Sequence, residues 1–516
     1  MKSLSVLITI CILLAFGSGC ITTNQITQKS ELKECKGMGP LRALTVDTLL
    51  YTFDTFTFTD SVLTGSGTLK HNDKTTPFEG SVPFYRIVFI EQSDVSFMKG
   101  VWVLPAVAGV VSSASQALSQ SSSFEIRRPV SGSSCPSIYA FDGKEYKLEA
   151  EAFGTSISKA FEAQTFSLLP SLTPRNGSLN VRVANERPET HVINSVHLFA
   201  ADARDARSVV LDVNNVLWPL NGATPPTAAR DHSGNDVLND IRAIDGKYWE
   251  SDLANTTPFS GFHDRLEIQF DLPSNASEAT FVVRAINTEL ITEVYRSVGT
   301  LLGDETLKFY YALEHDAQLQ SRIRGWINES SLAVEVWDGN EWKEIGRIQP
   351  EATAVAFSRA LRIAGLQNHS GLLRLRLSSL TDTWRIDAVL LDCSSVKPLA
   401  MCPLNMTTVS ASDGRDWSKA IARNDSEYAL VLPPHRLDIA FDPEPTRAMQ
   451  KPVYVFAAQG YLYEWFPATP MASSSVSSTA PTNVDCVALL KLLIQEKNLF
   501  LPPLYAAWEK NREVRR

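Results

Sequence analysis

Ile138-Tyr139-Ala140-Phe141 runs into Asp142-Gly143 and then into Glu145 to Ala150. Asp-Gly readily takes the positive φ angles of a two-residue hairpin turn, so the segment predicts two antiparallel strands joined tightly. Downstream, Leu179 to Val183, Val196 to Phe199, Val209 to Val213, Leu266 to Phe270 and Phe281 to Ala285 have the length and composition of further strands. Short strands at this spacing favour a β-sandwich.

A helical stretch interrupts the strands. Leu290, Ile291 and Val294, then Leu301 and Leu302, then Leu307, Tyr310 and Tyr311 recur at three and four residues, with Asp304 as an N-cap. Strands resume at Leu332 to Trp337, Leu373 to Leu377, Trp384 to Leu391, Tyr428 to Phe441 and Val453 to Trp465. Ser473 to Thr479 reads as a linker, and Val487 to Gln495 as a short terminal helix stopped by Pro502-Pro503.

Upstream, Leu41 to Ile90 reads as a small closed β-roll. Tyr51 to Phe53 and Phe56 to Phe58 alternate aromatic with polar residues, and the phase change at Asp54-Thr55 predicts a bulge or turn. Val101 to Val111 is apolar but holds Pro105 and is too short to span a bilayer. Ser112 to Ser123 reads as a linker. The expected fold is therefore mainly β: a small N-terminal β-roll, one or two jelly-roll-like β-sandwich domains, a helical insertion and a short C-terminal helix. The expected boundaries are 1–19 signal peptide, 20–37 tether, 38–111 roll with the apolar segment, 112–134 linker, 135–286 sandwich, 287–327 helical insertion, 328–470 second sandwich, and 471–516 linker and helix.

The first twenty residues give an address. Lys2 is basic, Val6 to Phe16 is almost unbroken apolar sequence, and Gly17-Ser18-Gly19 leads into Cys20. This resembles a bacterial lipoprotein signal, which implies acylation of Cys20 and cleavage before it; the family prefers Leu where Gly17 stands. A secretory peptide cut near the same place is the other reading. Ile21 occupies the position where lipoproteins kept in the inner membrane usually carry Asp, so the resemblance favours the outer membrane. The expected partners are the membrane, through the lipid, and a glycan or another envelope protein.

The chain has 516 residues, 44% hydrophobic and 20% charged, with a formal net charge of −9. That is an ordinary globular composition. The acidic balance argues against nucleic acid as a partner. After cleavage Cys35, Cys135, Cys393, Cys402 and Cys486 remain beside Cys20. Cys393 and Cys402 flank a short Pro-containing connection and are the expected disulfide.

An Asp-Gly motif followed by an aromatic residue recurs at Asp142 to Tyr146, Asp245 to Trp249, Asp338 to Trp342 and Asp413 to Trp417. Its uneven spacing excludes a solenoid or propeller. Trp249, Trp342 and Trp417 are candidate ligand-binding residues, because aromatic faces stack on sugars; the alternative is hairpin turns whose aromatic residue packs on the sheet. Between Asp231 and Asp264, the residues Asp231, His232, Asp236 and His263 form a candidate metal set. The alternative there is a solvated connection. Sequence motifs for zinc proteases, phosphate loops, dinucleotide folds and nucleophile elbows are absent, and no cofactor is expected.

From Cys135-Pro136 onward the landmarks resemble those of uncharacterised bacterial exported proteins, many of them lipoproteins. The shared features are the Cys-Pro opening with Asp142-Gly143, the Asn185-Glu186 strand end, the helical insertion, the Trp337 to Trp342 hairpin, Trp384 to Asp387, and Gly460 to Trp465. Arg374 to Leu377 followed by Trp384 to Asp387 also resembles the late strands of galactose-binding-like jelly rolls. These resemblances imply architecture, and no catalytic residue is expected from them. The functional expectation is a lipid-anchored envelope protein presenting sandwiches for ligand binding or scaffolding. The alternative is a carbohydrate-active hydrolase that uses loop carboxylates.

Overall fold

A computed structural model describes residues 20–25, 32, 40–59, 61–71, 74–96, 135–251, 262–290, 292, 306–366 and 371–465. The protein is mainly β. Its chain divides into two compact units. One takes the described residues within Met1–Glu125, Tyr295–Arg322 and Trp465–Ala507, and the other those within Ile126–Val294 and Ile323–Glu464. The signal stretch before Cys20, the apolar segment, the Ser-rich linkers, Asp304 and the terminal helix lie outside the described residues.

The first unit is built on a six-stranded antiparallel sheet. Its spatial order is Cys20–Gln25, Ile87–Ser96, Leu41–Thr45, Leu50–Phe58, Val62–His71, Lys74–Pro83. Among the described residues the two outer strands do not pair, so the sheet is open where a closed roll was expected. The anticipated bulge is present, since the pairing register slips between Phe53 and Thr55. Across that slip Val62–His71 approaches so closely that a Cβ on Gly65 would stand 2.0 Å from the Thr55 carbonyl oxygen. Only glycine fits there.

Two observations correct the expected tether. Cys20–Gln25 is an edge strand in register with Ile87–Ser96, with Cys20 opposite Ser96, and Leu32 is fully buried in the core with Leu41, Phe53 and Leu63. Polar residues suit an edge strand, and among the described residues Cys20–Gln25 is outermost, so polarity alone did not exclude pairing. In the same unit the helix Thr306–His315 sets Tyr310 5.9 Å from the Phe89 ring. Asp316 then caps a second helix, Ala317–Ser330, by accepting from the N–H of Gln318 and Leu319.

The second unit holds two sandwiches, one inserted in the other. The host sandwich packs the sheet Met406–Ala411, Arg436–Phe441, Leu179–Ala184, Ser137–Phe141, Tyr146–Glu151 against a sheet centred on Glu189–Asp202 and Pro452–Glu464, with Ala163–Leu168 outside the latter. The short strands Cys402–Leu404 and Ala429–Val431 share the free edge of Glu189–Asp202. The insert pairs the sheet Ala228–Asp231, His263–Asp271, Leu372–Leu380, Leu332–Trp337, Trp342–Ile348 with the sheet Trp249–Glu250, Trp384–Asp392, Glu278–Asn287, Phe357–Ala364. Leu266, Ile268, Phe270, Phe281, Leu375, Trp384 and Ile386 lie in its core. Sheet membership therefore does not follow the expected division at 286 and 328: the host closes only when the chain returns after Asp392.

Apart from Cys402–Leu404, which has no counterpart in the insert, the two sandwiches share one pairing diagram in a different chain order. Five strands from Ser137 to Asp202 and five from Cys402 to Glu464 build the host; four from Ala228 to Asn287 and five from Leu332 to Asp392 build the insert. A separate hairpin, Ser208–Leu211 with Leu217–Leu220, lies in the chain between them. Leaving aside that hairpin and Cys402–Leu404, four-strand sets remain from Met406 to Glu464 and from Ala228 to Asn287. The chain thus runs as a five-strand set, a four-strand set, a second five-strand set and a second four-strand set. The first set joins the last, and the two middle sets join each other. Local detail repeats with the topology, because the register slips between Ile138 and Tyr139 in one hairpin and between Val334 and Glu335 in the other.

Candidate functional site

The Asp338-Gly339 hairpin places an aromatic pair on the outer face of the insert. Gly339 has φ 104°, which a side chain would resist. Asp338 Oδ1 accepts from the N–H of Asn340 and of Glu341, both at 2.9 Å, and Lys343 Nζ lies 2.6 Å from Oδ2. The Lys343 ammonium and the two amides hold the Asp338 carboxyl well below the usual carboxylate range. The turn fixes Trp337 opposite Trp342, with ring centroids 5.4 Å apart and planes at 61°.

Strand alternation supplies the rest of the face. On Leu372–Leu380, Leu373, Leu375 and Leu377 point into the core, so Arg374 and Arg376 point out. The Arg374 guanidinium lies 5.2 Å from the Trp337 centroid and 5.5 Å from that of Trp342, and Arg376 lies 4.7 Å from Trp342. Arg376 is held by a bidentate pair with Glu335 at 2.6 Å for each nitrogen, and Arg374 stands 3.7 Å from Glu267. A planar fork locked on a carboxylate keeps its direction, which pre-organises the face. Partly buried indole rings offer apolar surface to a pyranose ring, while the guanidinium and carboxylate edges offer donors and acceptors to its hydroxyls.

Of the three candidate tryptophans, the structure leaves Trp342 accessible and buries the others. Trp249 and Trp417 are each 7% exposed. Trp249 lies in the insert core on a two-residue strand against Trp384–Asp392, and Trp417 precedes a turn closed by Ile421 N–H to Trp417 O. Their Asp-Gly sequences are loops leading to edge strands, so the aromatic residue falls on the core side. Trp337, Arg374, Arg376 and Glu335 join the site without having been singled out. Their signal was the alternation in Val334 to Trp337 and Leu373 to Leu377.

The four candidate metal ligands do not converge. Asp231 folds on its own loop, taking the N–H of Ser233 and Asn235 and the Asn235 amide, each at 2.9 Å. Asp236 accepts from Leu238 N–H at 3.0 Å. His232 Nδ1 lies 2.7 Å from Asp264 Oδ1, whereas His263 Nε2 is 4.0 Å from Glu329. His263 and Asp264 are consecutive on one strand and face opposite ways, which separates the imidazoles. Burial raises the Asp264 carboxyl, and His232 opposes that shift. Among the described residues no three His, Cys, Asp or Glu side chains gather as a metal site requires.

The expected disulfide is likewise absent, since Cys393 and Cys402 are both free. Cys393 packs on the insert core after Trp384–Asp392, and Cys402 opens a strand paired with Ala200 in the host. The connection between them passes from one sandwich to the other, so it does not fold back on itself.

Neither the protein-family models nor the curated proteins compared with this sequence give a match. Among solved structures there is similarity to the cycloalternan-forming enzyme from Listeria monocytogenes in complex with a pentasaccharide substrate. It covers 66% of this chain and 31% of that one, at 11% identity and a TM-score of 0.16. A likeness this slight supports neither a fold nor an activity.

Proposed function

We propose that this protein is a lipid-anchored component of the bacterial cell envelope whose inserted sandwich holds a saccharide on the Trp337–Trp342 face. The observation that carries the binding reading is the geometry of that face, two accessible indoles joined to two guanidinium groups, of which that of Arg376 is fixed in direction by Glu335 and that of Arg374 stands near Glu267. A sugar ring would lie on the indole of Trp342, with its hydroxyls taking hydrogen bonds from Arg374 and giving them to Glu335.

The anchor reading rests on Lys2, the apolar Val6 to Phe16 and Gly17-Ser18-Gly19-Cys20. Several acyl chains hold a protein firmly, because each buried methylene is worth about 0.8 kcal/mol. Cys20 begins a paired strand, so acylation there would hold the edge of the first sheet directly at the bilayer. Ile21 after the cysteine favours the outer membrane.

Two measurements test this function. Cells fed an alkyne fatty acid should label the wild type and not Cys20→Ala, and equal labelling of the two removes the anchor. An array of envelope oligosaccharides should retain the purified protein, and an array that retains none of it removes the binding reading.

A further inference from the structure

The host sandwich carries a counterpart of the Trp337–Trp342 face built from different side chains. Phe141 and Tyr146 stand at the same Asp-Gly hairpin, with ring centroids 5.2 Å apart. Asp142 repeats the work of Asp338, accepting from the N–H of Lys144 and Glu145 and pairing with Lys147 at 2.7 Å. Arg182 takes the place of Arg376, lying 3.9 Å from the Tyr146 centroid and 2.6 Å from Asp438. Two residues before Arg376 the insert has Arg374, whose guanidinium lies across both indoles. Two residues before Arg182 the host has the shorter Asn180, and it is Arg175 whose guanidinium lies beside the Phe141 ring. This face holds a groove of about 420 Å³ lined by Phe141, Tyr146, Arg175, Asn176, Ser178 and Asn180.

That lining holds one charged side chain, and it is positive. Arg175 donates to the Gly143 carbonyl and lies 5.6 Å from the Phe141 centroid. Among the described residues no carboxylate pairs with it, whereas Arg182 is neutralised by Asp438. The turn from Arg175 to Ser178 is closed by backbone hydrogen bonds of 2.9 and 3.0 Å, with Asn176 at φ 51° and Gly177 at φ 76°. Asparagine and glycine tolerate this left-handed geometry, which sets amide and hydroxyl groups along the groove beside an aromatic wall.

We propose that this groove binds an acidic saccharide of the uronic-acid class. The sugar ring packs on Tyr146 and Phe141, its carboxylate pairs with Arg175, and its hydroxyls meet Asn176, Ser178 and Asn180. The assignment rests on the reading of these aromatic and arginine faces as saccharide sites, and it adds the charge of the ligand.

Calorimetric titration of the full chain in detergent tests it, using a uronic-acid tetrasaccharide and the methyl ester of the same tetrasaccharide. The wild type should bind the acid about tenfold more tightly than the ester, a difference of about 1.4 kcal/mol. Arg175→Gln should bring the two within about twofold with its unfolding temperature unchanged, since Arg175 is exposed. Lys247→Gln, which removes an exposed cation of the insert outside both faces, should leave the preference intact. Equal wild-type affinities, no binding of either compound, or a preference that survives Arg175→Gln overturns the proposal. Saccharide binding that Trp342→Ala abolishes and Arg175→Gln leaves unchanged removes this groove while the face on the insert stands.

Discussion

Asn194 and Asp387 hold the same position in two different sandwiches. Each is the extra residue where strand register slips: Ile193 and Ser195 face Gly460 and Gln459, and Ile386 and Ala388 face Ala285 and Arg284. Each turns its side chain to the loop before a short edge strand. Asn194 Oδ1 accepts from Asp425 N–H at 3.0 Å, and Asp387 Oδ1 from Asp245 N–H at 3.3 Å and Gly246 N–H at 3.0 Å. Their other partners differ in charge, because Asp387 Oδ2 takes Arg284 Nε at 3.1 Å while Asn194 Nδ2 donates to Glu162 Oε1 at 2.8 Å.

The two positions should therefore not exchange residues. Asn194→Asp sets a carboxylate against Glu162, and Asp387→Ala strips Arg284 and two backbone amides of their acceptor. Each change should lower stability by about 2–4 kcal/mol, the range for a buried polar group left without its partner. Urea denaturation measures this, and losses under about 0.5 kcal/mol in both variants would contradict the assignment.

Nesting makes a second prediction. Residues 222–394 contain every strand of the insert and should fold when expressed alone, with a cooperative thermal transition and a β-type circular dichroism spectrum. Residues 135–286 contain the five-strand set of the host and the four-strand set of the insert, whose partners lie elsewhere, and should not reach either observed sandwich. A cooperative fold for 135–286 together with an unfolded 222–394 would refute the topology.

His191 gives the host sandwich a pH dependence. It is fully buried with Nε2 3.0 Å from Glu189, and burial pushes its imidazole down to about 3 from the ordinary 6.5. A folded-state value below the unfolded one means that the unfolded chain binds the extra proton. The neutral form's contribution is complete above pH 6.5 and is lost as pH falls from 6.5 towards 3. Between pH 6.5 and 5 the wild type should lose about 1–2 kcal/mol relative to His191→Leu. Parallel stability profiles of the two proteins across that window would refute this.

The local elements were legible in the sequence, and their partners were not. Asp142-Gly143 and Asp338-Gly339 announce hairpins because a two-residue turn is a local event, and the bulge at Asp54 shows as a break in alternation. Pairing of Glu189–Asp202 with Pro452–Glu464 spans the whole insert, and nothing in either strand specifies that the other is its neighbour. The same gap explains the separated imidazoles of His232 and His263 and the free Cys393 and Cys402, since proximity in the chain was standing in for proximity in space. Trp249, Trp342 and Trp417 follow similar local sequences, yet the sheet order decides which of them faces water.

The saccharide face is tested most directly by calorimetric titration of the wild type and Trp342→Ala with the oligosaccharide that the array retains best. Trp342 stands at a hairpin outside the core and is only partly buried, so its loss should leave the sandwich folded while removing the stacking surface. Affinity should be at least about tenfold weaker in Trp342→Ala, equivalent to about 1.4 kcal/mol, at an unchanged unfolding temperature. Equal affinity in the two proteins would contradict it.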